Sequence, residues 1–395
     1  YNQREFRGAI NLPVVKDKLF VRAAGFYDFR DGFVENTFGG TLNGKNTLAG
    51  RLSVRYLPAK NHQLDLILSY QNDDTPGIAF MSKQNPNTEG DTDIFNYRAS
   101  LEQGDNLYTG KDLFDAALYY RYNINEHTYL STITSFRKTS SGSRWDGDGT
   151  AAPALDFWDD AGADQFYQEL RYNFSWRSRL NGSAGISYWN EKADQTYWFS
   201  PNEQSTAVLF FQPELLILPN GQPLLIPALP DNPELGPLAG MPLPEYHLEN
   251  NYSVANNQAL EAFIDATYQI TSKLYFTGGI RAAYENFELS NQAAFVDGEP
   301  STLGLITGNV PNMFFKPTSE QSMDDNSMAV NWQAGLQYRI SENTNIFSNY
   351  SNGRRPVVLQ YTSAGEPEQL PAERVDNIDI GIKSSIYGRA YIDVV

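Results

Sequence analysis

The stretch SRWDGDGTAAPALDFWDDAG (143–162) gathers carboxylates at Asp146, Asp148, Asp159 and Asp160. These are hard oxygen donors of the kind calcium takes. Their spacing is not that of an EF-hand loop, which closes on a Glu. A structural calcium and a plain solvated acidic loop therefore both stay open. The same stretch holds Trp145, Phe157 and Trp158, and Tyr197, Trp198 and Phe199 follow in the next such segment. These aromatics could line a site for a small ligand or pack among themselves. Bond-breaking chemistry has less to draw on. The three histidines, His62, His127 and His247, lie far apart. No HExxH, GxSxG, Ser-His-Asp arrangement or phosphate-cradling glycine loop appears. The residues speak for recognition rather than catalysis, and the chain is read as no enzyme.

Periodicity shows what positions these segments. In EAFIDATYQITSKLYFTGGIRAAYE (261–285) every second residue is apolar or aromatic: Ala262, Ile264, Ala266, Tyr268, then Leu274, Phe276, Ile280, Ala282, Tyr284. The intervening set includes Glu261, Asp265, Gln269, Thr277, Arg281 and Glu285, so two strands meet at a tight turn around 271–273. Seven such hairpins are predicted: 5–12 with 19–30, 46–57 with 64–73, 112–122 with 128–138, 164–176 with 180–191, 258–270 with 274–287, 327–340 with 344–353, and 374–385 with 389–395. Two of the turns are Arg177-Ser178-Arg179 and Tyr387-Gly388. Between hairpins the connections are long: about 30–46, 73–111, 138–163, 191–257, 287–327 and 353–373. A compact soluble domain rarely carries so many long irregular loops. A short–long alternation puts all short turns at one end of a sheet and all long loops at the other, as in outer-membrane barrels. The proline-rich 212–244 is no strand; it reads as a lid or a docking loop.

Composition agrees with that arrangement. The 395 residues carry a net charge of −17, no cysteine and a mean hydropathy of −0.47. An acidic balance argues against nucleic acid as the partner. No stretch reaches the roughly 18 apolar residues of a membrane helix; the most apolar, VLFFQPELLILP (208–219), is broken by Pro213. Spanning strands need only about 9–11 alternating residues, which dilutes hydropathy. The chain holds 24 Tyr, 23 Phe and 6 Trp. Tyr56, Tyr122, Trp176, Tyr268 and Tyr338 sit near short turns, and Tyr27, Tyr70, Tyr188 and Tyr284 near long loops. Two aromatic girdles around an apolar band are the pattern of a barrel in a bilayer. The fold expected is all-β, an antiparallel transmembrane β-barrel facing outer-membrane lipid.

Opposite the apolar band the strands carry charge, including Arg22, Arg51, Arg55, Asp65, Glu169, Arg171, Glu261, Asp265, Arg281, Glu285, Arg339, Asp379 and Lys383. Inside a barrel such groups need water, partners on neighbouring strands, or a polar body filling the lumen.

Four segments resemble the β-barrel of TonB-dependent outer-membrane receptors. REFRGAINLPVVKDKLFVRAAGFYDFRDGFVEN (4–36) is similar to an early barrel hairpin of that family. EAFIDATYQITSKLYFTGGIRAAYE is similar to a mid-barrel hairpin, with Gly279-Ile280-Arg281 where a Gly-x-Arg-Tyr-like segment is usual. NTNIFSNYSNGRRP (343–356) resembles a strand ending in an aromatic-x-x-Gly element. LPAERVDNIDIGIKSSIYGRAYIDVV (370–395) resembles a Pro-Glu…Glu-x-Gly-x-Lys hairpin, with Pro371-Ala372-Glu373 for Pro-Glu and Asp379-Ile380-Gly381-Ile382-Lys383 for the rest. The resemblance implies 14 strands present of 22, so that 1–395 is one partial barrel domain. An N-terminal plug, its TonB-contacting box and the closing strands would lie outside it, and both chain ends read as cut in mid-strand. It implies a location in the outer membrane of a Gram-negative-type bacterium, with short periplasmic turns and long extracellular loops. It also implies uptake of a small ligand such as a metal chelate, a ferric siderophore for instance, energised by TonB acting on the plug. Arg51, Arg55, Glu169, Arg171, Asp265, Arg281 and Arg339 would then face lumen and plug. A passive porin-like channel and a non-transporting binding or scaffold barrel are the alternatives.

Overall fold

In the computed structural model, which describes all residues except Ser178 and 387–389, the chain is a single antiparallel meander with small appendages. Its strands are β1 (Arg4–Val15), β2 (Leu19–Arg30), β3 (Lys45–Ala59), β4 (His62–Pro76), β5 (Tyr108–Asn123), β6 (Thr128–Asp146) and β7 (Asp156–Trp176). They continue with β8 (Leu180–Ser200), β9 (His247–Gln269), β10 (Leu274–Gly298), β11 (Gln321–Ser341), β12 (Thr344–Arg355), β13 (Glu373–Ile386) and β14 (Ala390–Val394). Each strand pairs with its neighbours in sequence, so the sheet has 14 strands in chain order. β1 and β14 are its two edges. All seven predicted hairpins are present. Of the turns named from sequence, Ser178 and Tyr387-Gly388 lie outside the described residues.

Strand length departs from expectation. β10 has 25 residues and β9 has 23, and both extend far past the predicted ends at the long-loop side. The stretch 143–162 is accordingly not one loop, because β6 runs to Asp146 and β7 starts at Asp156. The reason lies in the faces of β10. From Leu274 to Tyr284 the even residues are apolar, and the odd ones include Thr277, Arg281 and Glu285. Beyond Tyr284 the phase inverts. Asn286, Glu288, Ser290 and Gln292 now occupy the even face, while Phe287, Leu289, Ala293 and Phe295 occupy the odd one. At the same level the outer face of β9 also turns polar, since Leu260 pairs with Tyr284 and is followed on its face by Gln258 and Asn256.

The apolar face below this crossover has no cover. Ile264, Ile280, Val330 and Leu336 remain 47, 49, 52 and 50 % exposed at mid-strand. A sandwich would bury them under a second sheet. The 11 residues Leu274–Tyr284 extend roughly 34 Å along the strand and, tilted by about 45°, roughly 24 Å across a bilayer. That matches the apolar band of a membrane barrel, about 25 Å tall. Tyrosines mark its upper edge and send their hydroxyls upward to polar groups: Tyr70 donates to Asp112 Oδ1 (2.6 Å), Tyr284 to Asn326 Oδ1 (3.2 Å) and Tyr350 to Asp376 Oδ1 (2.6 Å). A ring in lipid with its hydroxyl in the interface is the arrangement these side chains favour.

The buried apolar clusters lie above that edge. One joins Phe199 and Ala293, on the inner face of the upper strands, to Ala207, Leu229, Leu243, Leu303, Met313 and Phe315 from the loops. A second, sharing Leu155 and Ile226 with it, packs Ala151, Ala152 and Ala154 against Val208, Leu216 and Ile217. The third unites Val34 and Leu42 with Ala99, Leu101 and Leu107. Helix α1 (Glu203–Phe211), capped by Asn202 whose side chain accepts from Gln204 N, belongs to this body of loops.

Candidate ligand-receiving face

Two layers make up the face opposite lipid: a charged wall at membrane depth and a loop body above it. Period-two alternation puts Arg51, Arg55, Glu169, Arg171, Asp265, Arg281 and Arg339 all on that wall, and each has a partner there. Arg55 meets Asp65 at 2.6 Å, Arg171 meets Glu169 at 2.9 Å, and Arg281 meets Glu261 at 3.0 Å. Tyr167 donates to Glu169 and Ser187 donates to Glu261, so each of these carboxylates has a second donor. Gln333 donates to Asp265 at 2.7 Å, and Arg51 Nε donates to Ser69 at 3.2 Å. The Arg171 and Arg281 guanidiniums flank the Phe263 ring at 5.2 and 5.0 Å, and Arg339 lies over Tyr275. Such ladders let a wall carry charge beside water without leaving any group bare. Near the short turns the wall is concave, with about 980 Å³ bounded by Asn11, Phe20, Arg22, Ser53, Arg55, Asp65 and Tyr119 among others.

In the upper layer the aromatics named from sequence divide between faces. Trp145 stacks on Phe157 (5.8 Å between centroids), which stacks on buried Phe199 (4.5 Å), all on the inner face. Tyr197 is on the inner face too, 40 % exposed, opposite Asp159. Trp158 and Trp198 stack on each other at 5.9 Å on the outward face, with Arg144 over Trp158. The five therefore do not form one lining; alternation along β7 and β8 sets neighbours 157 and 158, and 197 and 198, on opposite sides.

The four aspartates do not form one coordination shell: alternation sends Asp159 and Asp160 to opposite faces, while Asp146 and Asp148 lie together at the 147–155 turn. Asp146 Oδ1 accepts from the backbone N–H groups of Asp148 and Gly149. Asp148 accepts from Thr150 N, Thr150 Oγ1 and Leu155 N. Both thus shape the 147–155 turn. Asp159 accepts from Ser143 Oγ and faces inward, and Asp160 faces outward. Among the described residues no group of three His, Cys, Asp or Glu assembles a metal shell. The residues present do not fit a calcium ion held by these four.

Sequence reasoning missed two buried carboxylates that tie the loops down, and a third, Glu102, half-buried beside other carboxylates. Glu249, fully buried, accepts from the N–H groups of Phe314 (2.8 Å) and Phe315 (3.2 Å). Glu203, also fully buried at the start of α1, accepts from Thr302 N and Leu303 N, both at 3.0 Å. Glu102 accepts from Gln103 Nε2 at 2.6 Å. Burial above all, with the negative charges of Asp148 and Asp156, pushes its carboxyl up to about 8 against a hydrogen bond to Asp146. Burial likewise pushes Asp148 up to about 6, against donation from Thr150 and Leu155. No local pattern announces the roles of Glu203 and Glu249, because their partners lie far along the chain.

Comparison with known proteins fits this architecture. The family described as TonB dependent receptor-like, beta-barrel, matches residues 22–394. Among solved structures, the ferric yersiniabactin uptake receptor FyuA of Yersinia pestis superposes with a TM-score of 0.70 at 13 % identity, over 97 % of this chain and 50 % of its own. The siderophore receptor PiuA of Acinetobacter baumannii gives 0.61 at 12 %, over 97 % and 53 %. The ferric-catecholate import receptor Fiu of E. coli K12 gives 0.54 at 14 %, over 96 % and 54 %. The chain spans about half the length of these receptors, and at such identities the likeness is one of fold.

Proposed function

The chain belongs to the TonB-dependent receptor-like β-barrel family, and on that premise we propose that it forms the ligand-receiving part of an outer-membrane active transporter for a scarce nutrient such as a ferric siderophore. Members of the family are outer-membrane proteins and not enzymes. The observation that carries the reading is the phase inversion at Tyr284. One set of strands presents lipid-facing apolar residues below it and, above it, an inner face against which the loop body packs. A ligand would be caught by the loop body and inner upper wall, where Tyr197 and Asp159 are exposed or half-buried. It would then pass along the paired-charge wall once a plug moves, energised through TonB. Arg51, Arg55, Glu169, Arg171, Asp265, Arg281 and Arg339 would meet that plug, and the concavity by Arg22 and Tyr119 gives it a seat.

The test is uptake of radioiron-loaded siderophores by cells carrying the full-length gene, with TonB present, with TonB deleted, and with an uncoupler. Uptake that needs both TonB and the proton-motive force is the expected result. Uptake that persists without either would make the barrel a passive channel. Binding without uptake would make it a scaffold or binding barrel.

A further inference from the structure

Charge is distributed very unevenly along the barrel axis. The six segments at the long-loop end (31–44, 77–107, 147–155, 201–246, 299–320 and 356–372) hold 17 Asp and Glu but only three basic residues, Lys83, Arg98 and Lys316. They account for −14 of the chain's −17. At the short-turn end the described residues are net basic, with Lys16, Lys18, Lys60, Arg177, Arg179 and Lys273 against Asp17, Glu126 and Glu342. Two of the three loop cations are already matched, Arg98 with Glu89 (2.7 Å) and Lys316 with Glu366 (3.8 Å). Thirteen of the 17 loop carboxylates are exposed, among them Asp91, Asp93, Glu214, Asp231 and Glu234. The wall below differs, because its charges come in opposite-signed pairs.

A one-signed band of loops at one end of a sheet raises the local concentration of the opposite charge and slows approach of its own sign. The same loops expose aromatic faces at Phe95, Phe210, Phe211, Tyr246 and Phe314. Such faces hold cations and apolar groups but offer nothing specific to an anion. Acid loops could serve solubility alone, but that would not require the near-absence of lysine and arginine across six separate segments.

Resting on the transport reading above, we propose that the nutrient complex received here carries net positive charge, a metal chelate with unpaired amine groups, and that the acidic mouth selects against anionic chelates. The test uses the full-length receptor in nanodiscs of zwitterionic lipid. The probes are one linear iron(III) tris-hydroxamate chelate in three forms: with a free terminal amine (+1), N-acetylated (neutral) and N-succinylated (−1). Metal centre and size stay fixed while charge changes. At low salt the cationic form should associate about tenfold or more faster than the anionic form, with the neutral form between. The gap should close as salt shortens the screening length. The triple variant Glu214→Lys, Asp231→Lys, Glu234→Lys, at exposed positions, should narrow or invert the order without altering barrel assembly. Equal rates, or faster association of the anionic form, would overturn the proposal and leave the transport reading intact. Failure of all three forms to bind at any salt would overturn the proposal and leave the transport reading to the uptake assay.

Discussion

Below the ring of Tyr70, Tyr284 and Tyr350 the chain is built inside out, and above it the chain is built like a soluble protein. In the lower region Ile264 and Ile280 face outward and Arg281 faces inward. In the upper region Phe199 and Leu303 are buried and most loop carboxylates point to water. The same strands serve both regions, and what changes along them is the solvent that each face meets. A lipid-facing side chain need only be apolar, so small residues such as Gly278 and Ala282 are acceptable there. The loop body must close around itself, so it needs buried polar clamps such as Glu203 and Glu249.

The largest expected effect breaks this contrast directly. Ile264→Arg or Ile280→Arg places a charge in mid-belt and should destabilise the barrel by about 2–4 kcal/mol in a reversible membrane-folding titration. Gln292→Arg, on the same face of β10 but above the ring, should change stability by less than about 0.5 kcal/mol. Equal costs at 280 and 292 would mean that the tyrosine ring is not the boundary.

The clamps come next. Glu249→Ala leaves two inward N–H groups, those of Phe314 and Phe315, without their acceptor, at a cost of about 1–3 kcal/mol. Hydrogen exchange should quicken across 299–320 while β9 and β10 keep their protection at belt depth. Loss of protection throughout the sheet would show that loop body and wall form one cooperative unit.

The contrast also explains what could be read in the sequence. Strand order, hairpin pairing and the lipid-facing set were legible because period-two alternation is strict between Leu274 and Tyr284. Strand length was not, because the inversion after Tyr284 looks like the end of a strand to any test that expects a constant phase. The lumen wall was legible by elimination, as the charged face opposite the apolar one. The loop clamps were not, since Glu203 meets Thr302 and Glu249 meets Phe314, and side-chain chemistry alone does not reveal contacts between such distant positions. The aromatic and acidic candidates of 143–162 misled for a local reason. Clustering in sequence is not clustering in space along a strand, where adjacent residues such as Phe157 and Trp158, or Asp159 and Asp160, point apart.

A smaller effect is pH-dependent. Glu102 is held near 8, above its ordinary 4.5, so between those values the folded loop binds a proton that the unfolded chain does not. Stability must therefore fall as pH rises through this window and level off above about 8. Local opening of 77–107, measured by hydrogen exchange corrected for intrinsic rates, should increase by at most about tenfold per pH unit. Glu102→Gln should weaken that dependence, leaving the slopes from Asp146 and Asp148, whose carboxyls burial also raises. An opening that decreases toward pH 8 would show that Glu102 is not buried in its acid form.

The smallest effect is expected where the structure looks most strongly bonded. Arg55 and Asp65 approach to 2.6 Å, and Arg137 and Asp115 to 3.2 Å, yet both arginines are more than half exposed on the wall. Water screens such pairs, and holding long side chains in place costs entropy, so Arg55→Ala or Arg137→Ala should each change stability by only about 0–1 kcal/mol. The comparison sharpens if salt is varied. Raising ionic strength should erase even this contribution and leave the Ile280→Arg penalty untouched, since the latter comes from transfer of charge into hydrocarbon rather than from an ion pair. A salt-insensitive cost of 3 kcal/mol or so at Arg55 would mean that the wall is dry there and covered by a body that excludes water. That outcome would tie the concavity beside Arg22 and Tyr119 to a plug more directly than any fold likeness can.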